Sequence, residues 1–156
     1  MSKLDNIDYL LQHITSLSAR NFDQILLEQL GVGYAQFKIL RMIKDNIAVK
    51  QRYIADILGQ TEASISRQIK ILMSLGYVTR KLDPYNKRLR LVSITPKGLN
   101  VTNAALVALD KYHSSLLSGF DEKQQSSLLE LLQSYHDDIC NLKHNLDIEY
   151  LDFIAG

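Results

Sequence analysis

The sequence predicts a mainly α-helical protein in which a helix-turn-helix and a two-stranded β-hairpin lie between long flanking helices. Three observations lead to this fold class. Apolar residues recur at helical spacing over most of the 156 residues. A helical hairpin with a glycine at its turn precedes two strand-like segments, and basic residues are concentrated in that same middle part.

The first 60 residues predict three helices. Apolar side chains recur three or four apart over residues 4–30, and Gly31 and Gly33 follow as helix-ending residues. The same periodicity predicts a second helix over residues 34–43 and a shorter third one over residues 51–58.

The stretch ILGQTEASISRQIKIL, residues 57–72, predicts the turn and the fourth helix. Gly59 lies where a left-handed backbone is needed, and Gly76 lies where a left-handed cap would end a helix over residues 61–75. Ile54, Ala55, Leu58 and Ile65 are expected to pack the two helices of the hairpin together.

A change of texture follows the fourth helix. The segments YVTRKL (77–82) and LRLVSI (89–94) predict paired strands, joined by the turn-rich, basic tip DPYNKR. Helical spacing returns after Gly98, and Asp121 with Gln124 predicts a capping box at the start of the last helix. The tail over residues 146–156 has no assigned structure or role.

Charge is divided unevenly along a chain of net charge +1. Residues 31–98 contain 13 Lys and Arg against 4 Asp and Glu, and the remaining residues contain 5 basic and 13 acidic ones, so the balances are +9 and −8. This division indicates a middle segment that faces a polyanion. A solvated basic surface without a partner is the alternative.

The second helix of the hairpin is expected to enter a DNA major groove with its N-terminal half. Thr61 is placed to cap this helix, where free amides favour a phosphate. Ser64 and Arg67 are the leading candidates to contact bases, because Arg suits guanine and Ser accepts several partners. The predicted DNA-contacting residues of the helix are Thr61, Glu62, Ala63, Ser64, Arg67 and Gln68.

The β-hairpin supplies a second expected contact. A winged helix places such a hairpin directly after the recognition helix, with its basic tip on the DNA backbone or in the minor groove. Lys87, Arg88 and Arg90 lie at or beside the tip and are the predicted wing residues. The alternative is a surface hairpin whose charges only favour solubility.

Three segments carry a resemblance to a known family: GVGYAQFKILRMI, YIADILGQTEASISRQIKILMSLGYVTR and DPYNKRLRLVSITPKG. Together, over residues 31–98, they resemble the multiple-antibiotic-resistance-regulator (MarR) family of winged-helix repressors. In the wing, Arg88, Ile94-Thr95 and Gly98 match the family pattern, whereas Asn86 stands where an acidic residue is usual and Lys87 replaces an arginine. The resemblance therefore implies either a less firmly held wing or a compensating role for Asp83.

The resemblance also implies the assembly and the mode of action. It implies a homodimer held by residues 1–30 and 99–145, with residues 31–98 as the DNA-binding domain, on a palindromic operator. A small aromatic or anionic effector is a further implied partner. Tyr9, His13, Arg20 and Tyr112 suit such a ligand, but helix packing explains them equally well, and no effector site is assigned.

His136, Cys140 and His144 follow at spacings of four on the last helix. Eight residues of helix rise about 12 Å, too far for both histidines to reach one metal ion, so no metal site is assigned. Two alternatives stay open: a two-ligand half-site completed by another chain, and a redox-responsive regulator that uses Cys140. A buried structural thiol is the favoured interpretation of Cys140.

Other classes of protein find little support. The N-terminus lacks the pattern of a signal peptide, no run is long and apolar enough for a membrane helix, and a single cysteine suits the reducing cytoplasm. No catalytic motif is present, so we expect neither an enzyme nor a cofactor. A winged-helix module that binds protein without binding specific DNA is the remaining alternative.

Overall fold

The structure is a computed structural model that describes the backbone of residues 3–155 and the side chains of residues 6–141. The predicted mainly α fold is confirmed, with nine elements in chain order. They are α1 (Lys3–Leu30), α2 (Tyr34–Ile43), β1 (Val49–Lys50), α3 (Gln51–Leu58), α4 (Glu62–Ser74), β2 (Val78–Leu82), β3 (Arg90–Ile94), α5 (Pro96–Leu117) and α6 (Glu122–Ala155).

The sheet has three antiparallel strands in the order β1-β3-β2, one more than predicted. The predicted hairpin is present as β2 and β3, in a register that sets Arg80 opposite Val92. On the other side of β3, Val49 of β1 pairs with the same Val92. Two residues are too short a run to show the alternation that predicts a strand, so β1 was missed.

Contacts divide the chain into two compact units, residues 1–111 and 112–156. In the first unit, α3 packs on α4, and α2 packs on α4 and β3. Ile54, Ala55 and Ile65 are buried between these elements as predicted, whereas Leu58 is only half-buried. Each fully buried large aliphatic side chain contributes roughly 1.5–3 kcal/mol of hydrophobic free energy. The largest fully buried side chains include Leu26, Phe37, Ile39, Leu40, Ile43, Ile69 and Leu72.

Two glycines end helices as predicted, because each has the left-handed backbone that other residues seldom adopt. Gly59 ends α3 with φ of 61°, and its amide donates to the carbonyl oxygens of α3. Gly76 follows α4 with φ of 74°. The sharp turn at Gly59 is the turn of the helix-turn-helix, and α4 begins three residues after it.

Helix α5 begins at Pro96, ahead of Gly98. Thr95 caps it, since the Gly98 amide donates to Thr95 Oγ1 at 3.0 Å. Pro96 therefore occupies the first helical position, where its missing N–H costs no hydrogen bond. Gly98 is buried in this first turn, and a Cβ atom there would overlap the carbonyl oxygen of Tyr77.

The second unit contains the end of α5, a turn and α6. The predicted capping box is confirmed: the Gln124 amide donates to Asp121 Oδ1 at 2.8 Å, and the Asp121 amide to Gln124 Oε1 at 3.0 Å. The tail that had no assigned structure belongs to α6 as far as Ala155. Cys140 is exposed, so the prediction of a buried thiol is wrong for the single chain. His144 lies outside the residues whose side chains are described.

In the part of the chain that the structure describes, no helix combines the length and apolar character needed to cross a membrane.

Candidate nucleic-acid interface

The N-terminus of α4 is capped by Thr61, as the sequence predicts. Thr61 Oγ1 accepts the amide of Ser64 at 3.2 Å, and the Thr61 carbonyl oxygen accepts the amide of Ile65 at 3.1 Å. The cap satisfies one amide of the first turn, and an unpaired amide at a helix N-terminus is attracted to an anion. Glu62 is the acidic residue of this turn, and its negative charge stabilises the positive end of the helix dipole.

The residues of α4 that are predicted to contact DNA are only partly exposed. Glu62, Ala63 and Arg67 are exposed, whereas Ser64 and Gln68 are half-buried. The Ser64 hydroxyl lies 3.2 Å from Gln60 Oε1 and donates to it, so it is already engaged within the helix-turn-helix. Gln68 Oε1 is buried and has no hydrogen-bond partner among the described residues. Of the two leading candidates to contact bases, Arg67 is therefore accessible, whereas Ser64 is half-buried.

The wing tip is closed by a set of short-range hydrogen bonds. Asp83 Oδ1 accepts the amides of Tyr85 at 2.8 Å and Asn86 at 3.0 Å, and Asn86 Oδ1 accepts the amide of Arg88 at 3.1 Å. The Leu89 amide donates to the Asn86 carbonyl oxygen at 2.8 Å. Asp83 thus holds backbone amides and not the guanidinium of the wing arginine. The charged pair with that arginine, which was considered for Asp83, is not formed.

Asn86 contributes to this tip through a neutral hydrogen bond to the backbone, not through a charged pair with an arginine. The carboxylate of Asp83 supplies the charge-assisted bonds instead, and such bonds are stronger than neutral ones. The tip is therefore held in one arrangement by Asp83 and Asn86 together, and the side chains between and after them project from it.

The cationic side chains of the wing are exposed. Lys87, Arg88 and Arg90 carry no ion pair or side-chain hydrogen bond to any described residue, and the same holds for Arg67 on α4. Tyr85 at the tip is 100% exposed. Tyr85 was not among the residues predicted from the sequence. Its position directly after Asp83-Pro84 in the turn could have predicted its exposure, because a side chain at a hairpin tip lies far from the core.

Arg80 is a second residue that sequence reasoning missed, and it differs from the other cations. It lies on β2 and is half-buried, with Nη1 at 3.4 Å from Gln51 Oε1 and 3.5 Å from Ser66 Oγ. It therefore joins the sheet to the first residue of α3 and to the middle of α4. Strand alternation places Arg80 on the same face as Val78 and opposite to Lys81, but only the tertiary structure shows that α3 and α4 lie against that face.

Metal ligation has limited support within one chain. Among the residues described with side chains, no group of three or more His, Cys, Asp or Glu residues is arranged to hold an ion.

Comparison with known proteins relates the middle of the chain to one family. Residues 30–89 match the model of the MarR family. The matched region runs from the end of α1 through the helix-turn-helix to the wing tip, so it contains every predicted DNA-contacting residue except Arg90.

Known proteins similar to this chain are regulators of transcription. The transcriptional regulator HosA of Escherichia coli O111:H- is 24% identical over 98 residues, which are 63% of this chain and 73% of HosA. A cysteine-to-serine mutant of MarR from E. coli, solved with operator DNA, has a TM-score of 0.68 at 24% identity, covering 86% of this chain and 99% of that one. CouR from Rhodococcus jostii RHA1, solved with p-coumaroyl-CoA, has a TM-score of 0.72 at 21% identity, covering 86% and 94%.

The fold and these similarities are those of winged-helix transcriptional regulators. The structures with bound DNA and bound ligand have the same fold as this chain.

Proposed function

We propose that the chain is a homodimeric repressor that binds a palindromic operator through α4 and the wing formed by β2 and β3. The observation that carries the proposal is a set of exposed cations that form no ion pair or side-chain hydrogen bond with any described residue. They are Arg67 on α4 and Lys87, Arg88 and Arg90 on the wing. Such a cation can bind a phosphate or a base edge without first breaking an ion pair within the protein.

The two sets of contacts have different roles in this proposal. Helix α4 lies in the major groove, where Arg67 donates to guanine and Thr61, Glu62, Ala63, Ser64 and Gln68 line the contact around it. Lys87, Arg88 and Arg90 bind phosphates or the minor-groove edge, which gives affinity with little dependence on sequence. The half-buried Ser64 and Gln68 contribute more to the shape of this surface than to direct base contacts.

Dimerisation is assigned to residues 1–30 and 99–145, and DNA binding to residues 31–98. Support comes from exposed large apolar side chains on the described parts of α1 and α6, because contiguous exposed apolar residues mark interaction surfaces. These side chains are Ile7, Tyr9, Leu10 and Ile14 on α1, and Leu128, Leu129, Leu131, Leu132, Tyr135 and Ile139 on α6. Two-fold pairing doubles the number of base pairs read by a small helix-turn-helix.

Release by a small effector and location in the cytoplasm complete the proposal. CouR, which shares the fold, was solved with p-coumaroyl-CoA, and this supports a ligand-responsive regulator. An effector would act by favouring one separation of the two α4 helices in the dimer over another.

Selection from a random duplex library at two salt concentrations tests the function. We expect a two-fold symmetric motif and an affinity that falls steeply as salt rises. Salt-sensitive binding without a motif would contradict sequence-specific regulation. An absence of binding at low salt would contradict DNA binding altogether and favour a module that binds protein.

A further inference from the structure

Three polar side chains on α6 form a small cluster outside the DNA-binding surface. Cys140 Sγ lies 3.7 Å from His136 Nε2, and His136 Nδ1 lies 3.1 Å from Asp137 Oδ1. All three residues are exposed. His136 and Cys140 are four residues apart on a helix, so both side chains project from the same side.

The separation of sulfur and nitrogen fits two ligands of one zinc ion. Zinc binds thiolate sulfur at about 2.3 Å and imidazole nitrogen at about 2.0–2.1 Å, and a tetrahedral angle between such bonds sets the two atoms about 3.5 Å apart. The 3.7 Å between Cys140 Sγ and His136 Nε2 needs only a small closure to reach this value. A thiolate and an imidazole together favour zinc over the hard cations Mg²⁺ and Ca²⁺.

Asp137 orients the imidazole for this role. A metal-binding histidine usually donates its second ring N–H to a carboxylate, which fixes the tautomer and strengthens the ligand. The carboxylate of Asp137 is at hydrogen-bond distance from Nδ1 of His136, and the tautomer in which Nδ1–H donates to it leaves Nε2 free to bind a metal beside Cys140. The arrangement thus has a supporting residue as well as two ligands.

One chain offers half of the ligands that a closed zinc site requires. Structural zinc takes four protein ligands, and the described residues contain no third one near this pair. The pair lies beside exposed apolar side chains of the same helix, Leu132, Tyr135 and Ile139, which are 45%, 44% and 49% exposed. A second copy that covers this apolar stripe would set an identical pair opposite the first one if the two-fold axis passes beside residues 136–140.

We propose that His136 and Cys140 form half of a zinc site and that the same two side chains of a second copy complete it. The proposal rests on the homodimer of the proposed function. Each thiol releases its proton to solvent as the thiolate binds the metal, so zinc binding strengthens as pH rises. The bound ion would join the α6 helices of two copies and stabilise the dimer.

Cobalt titration of the full metal-free chain tests the site, because Co²⁺ takes zinc's place and absorbs light. We expect a thiolate-to-cobalt charge-transfer band that saturates at one ion per two chains and disappears when Zn²⁺ is added. Cys140→Ser should abolish the band, and His136→Asn, which leaves the thiolates in place, should weaken the affinity for Co²⁺. Asp137→Asn should weaken the affinity about tenfold or more, as loss of a supporting carboxylate does.

Asp56→Asn is the control, because Asp56 is an exposed carboxylate on α3, outside the helices assigned to dimerisation. It should leave the cobalt band unchanged, and circular dichroism should show that all variants keep their helices. The absence of a band, a band that persists in Cys140→Ser, unchanged cobalt affinity in His136→Asn, or saturation at one ion per chain would overturn the proposal.

DNA binding of the metal-free wild-type chain separates the two proposals. Binding to a selected duplex without a cobalt band would overturn the zinc site and leave the regulator intact. A band at one ion per two chains without DNA binding would support the zinc site and contradict the proposed regulator.

Discussion

The hydroxyl of Thr95 donates to the carbonyl oxygen of Gly76 at 2.8 Å, and this bond joins the start of α5 to the end of α4. Lys97 Nζ adds a bond to the carbonyl oxygen of Leu75 at 2.9 Å and lies 5.2 Å from the centre of the Tyr77 ring. The carbonyl groups of Leu75 and Gly76, directly after α4, therefore find donors at the start of α5. The orientation of α4 depends on this joint as well as on its packing with α3.

Replacement of Gly98 by alanine should destabilise the fold by about 1–3 kcal/mol, because the added methyl group meets the backbone at Tyr77 and the joint must open. Urea unfolding at a fixed protein concentration measures the change. Gly119→Ala is the control, since a Cβ atom at Gly119 meets nothing within 4 Å. Equal stability of the two variants would contradict the close packing at Gly98.

Replacement of Thr61 by alanine should lower the free energy of unfolding by about 0.5–2 kcal/mol through loss of the α4 cap. The hydrogen bond removed is the one from the Ser64 amide to Thr61 Oγ1. Thr61→Ser retains the oxygen and should recover most of the stability. Thermal unfolding of the three proteins decides the matter, and a serine variant as unstable as the alanine variant would argue against capping.

Replacement of Arg67 by alanine should relax sequence specificity by about 1–3 kcal/mol at one position of each half-site, because alanine cannot donate two hydrogen bonds to guanine. Competition between the selected duplex and single-base variants of it measures this. Lys123→Ala removes an exposed cation of α6 and should leave specificity unchanged. An equal loss of affinity for all duplexes would reassign Arg67 to a phosphate contact.

Replacement of Arg88 by alanine should weaken binding to all duplexes by similar factors. A phosphate contact carries no base information, so its removal should also reduce the slope of log affinity against log salt by about 1 for each phosphate that Arg88 neutralises. Fluorescence anisotropy at several salt concentrations gives this slope, with Lys123→Ala again as the control. An unchanged slope would place Arg88 away from the phosphates.

Replacement of Asp83 by alanine should weaken DNA binding by about 1–2 kcal/mol without a comparable loss of stability. The carboxylate holds the amides of Tyr85 and Asn86, and a loosened tip must be ordered when DNA binds. Asp83→Asn keeps an acceptor oxygen and should show a smaller effect. If the alanine variant bound as tightly as the wild type, a preorganised wing would not be part of the mechanism.

The helices, their ends and the order of the elements could be predicted because each depends on residues close together in sequence. Apolar spacing predicted all six helices, and Gly59, Thr61 and the Asp121–Gln124 pair predicted a turn and two caps that the structure confirms. The wing was predictable for the same reason, since two strand-like segments flank a turn-rich tip. The basic character of residues 31–98 followed from counting alone.

Tertiary contacts decided the features that local patterns could not predict. β1 is a strand only because Val49 meets Val92 across the sheet, and Arg80 is half-buried because α3 and α4 cover its strand. The sequence by itself determined the elements and the charge of the middle segment, because periodicity and composition are properties of neighbouring residues. Only the tertiary structure decided which polar groups stay free, because burial and partners depend on residues that are distant along the chain.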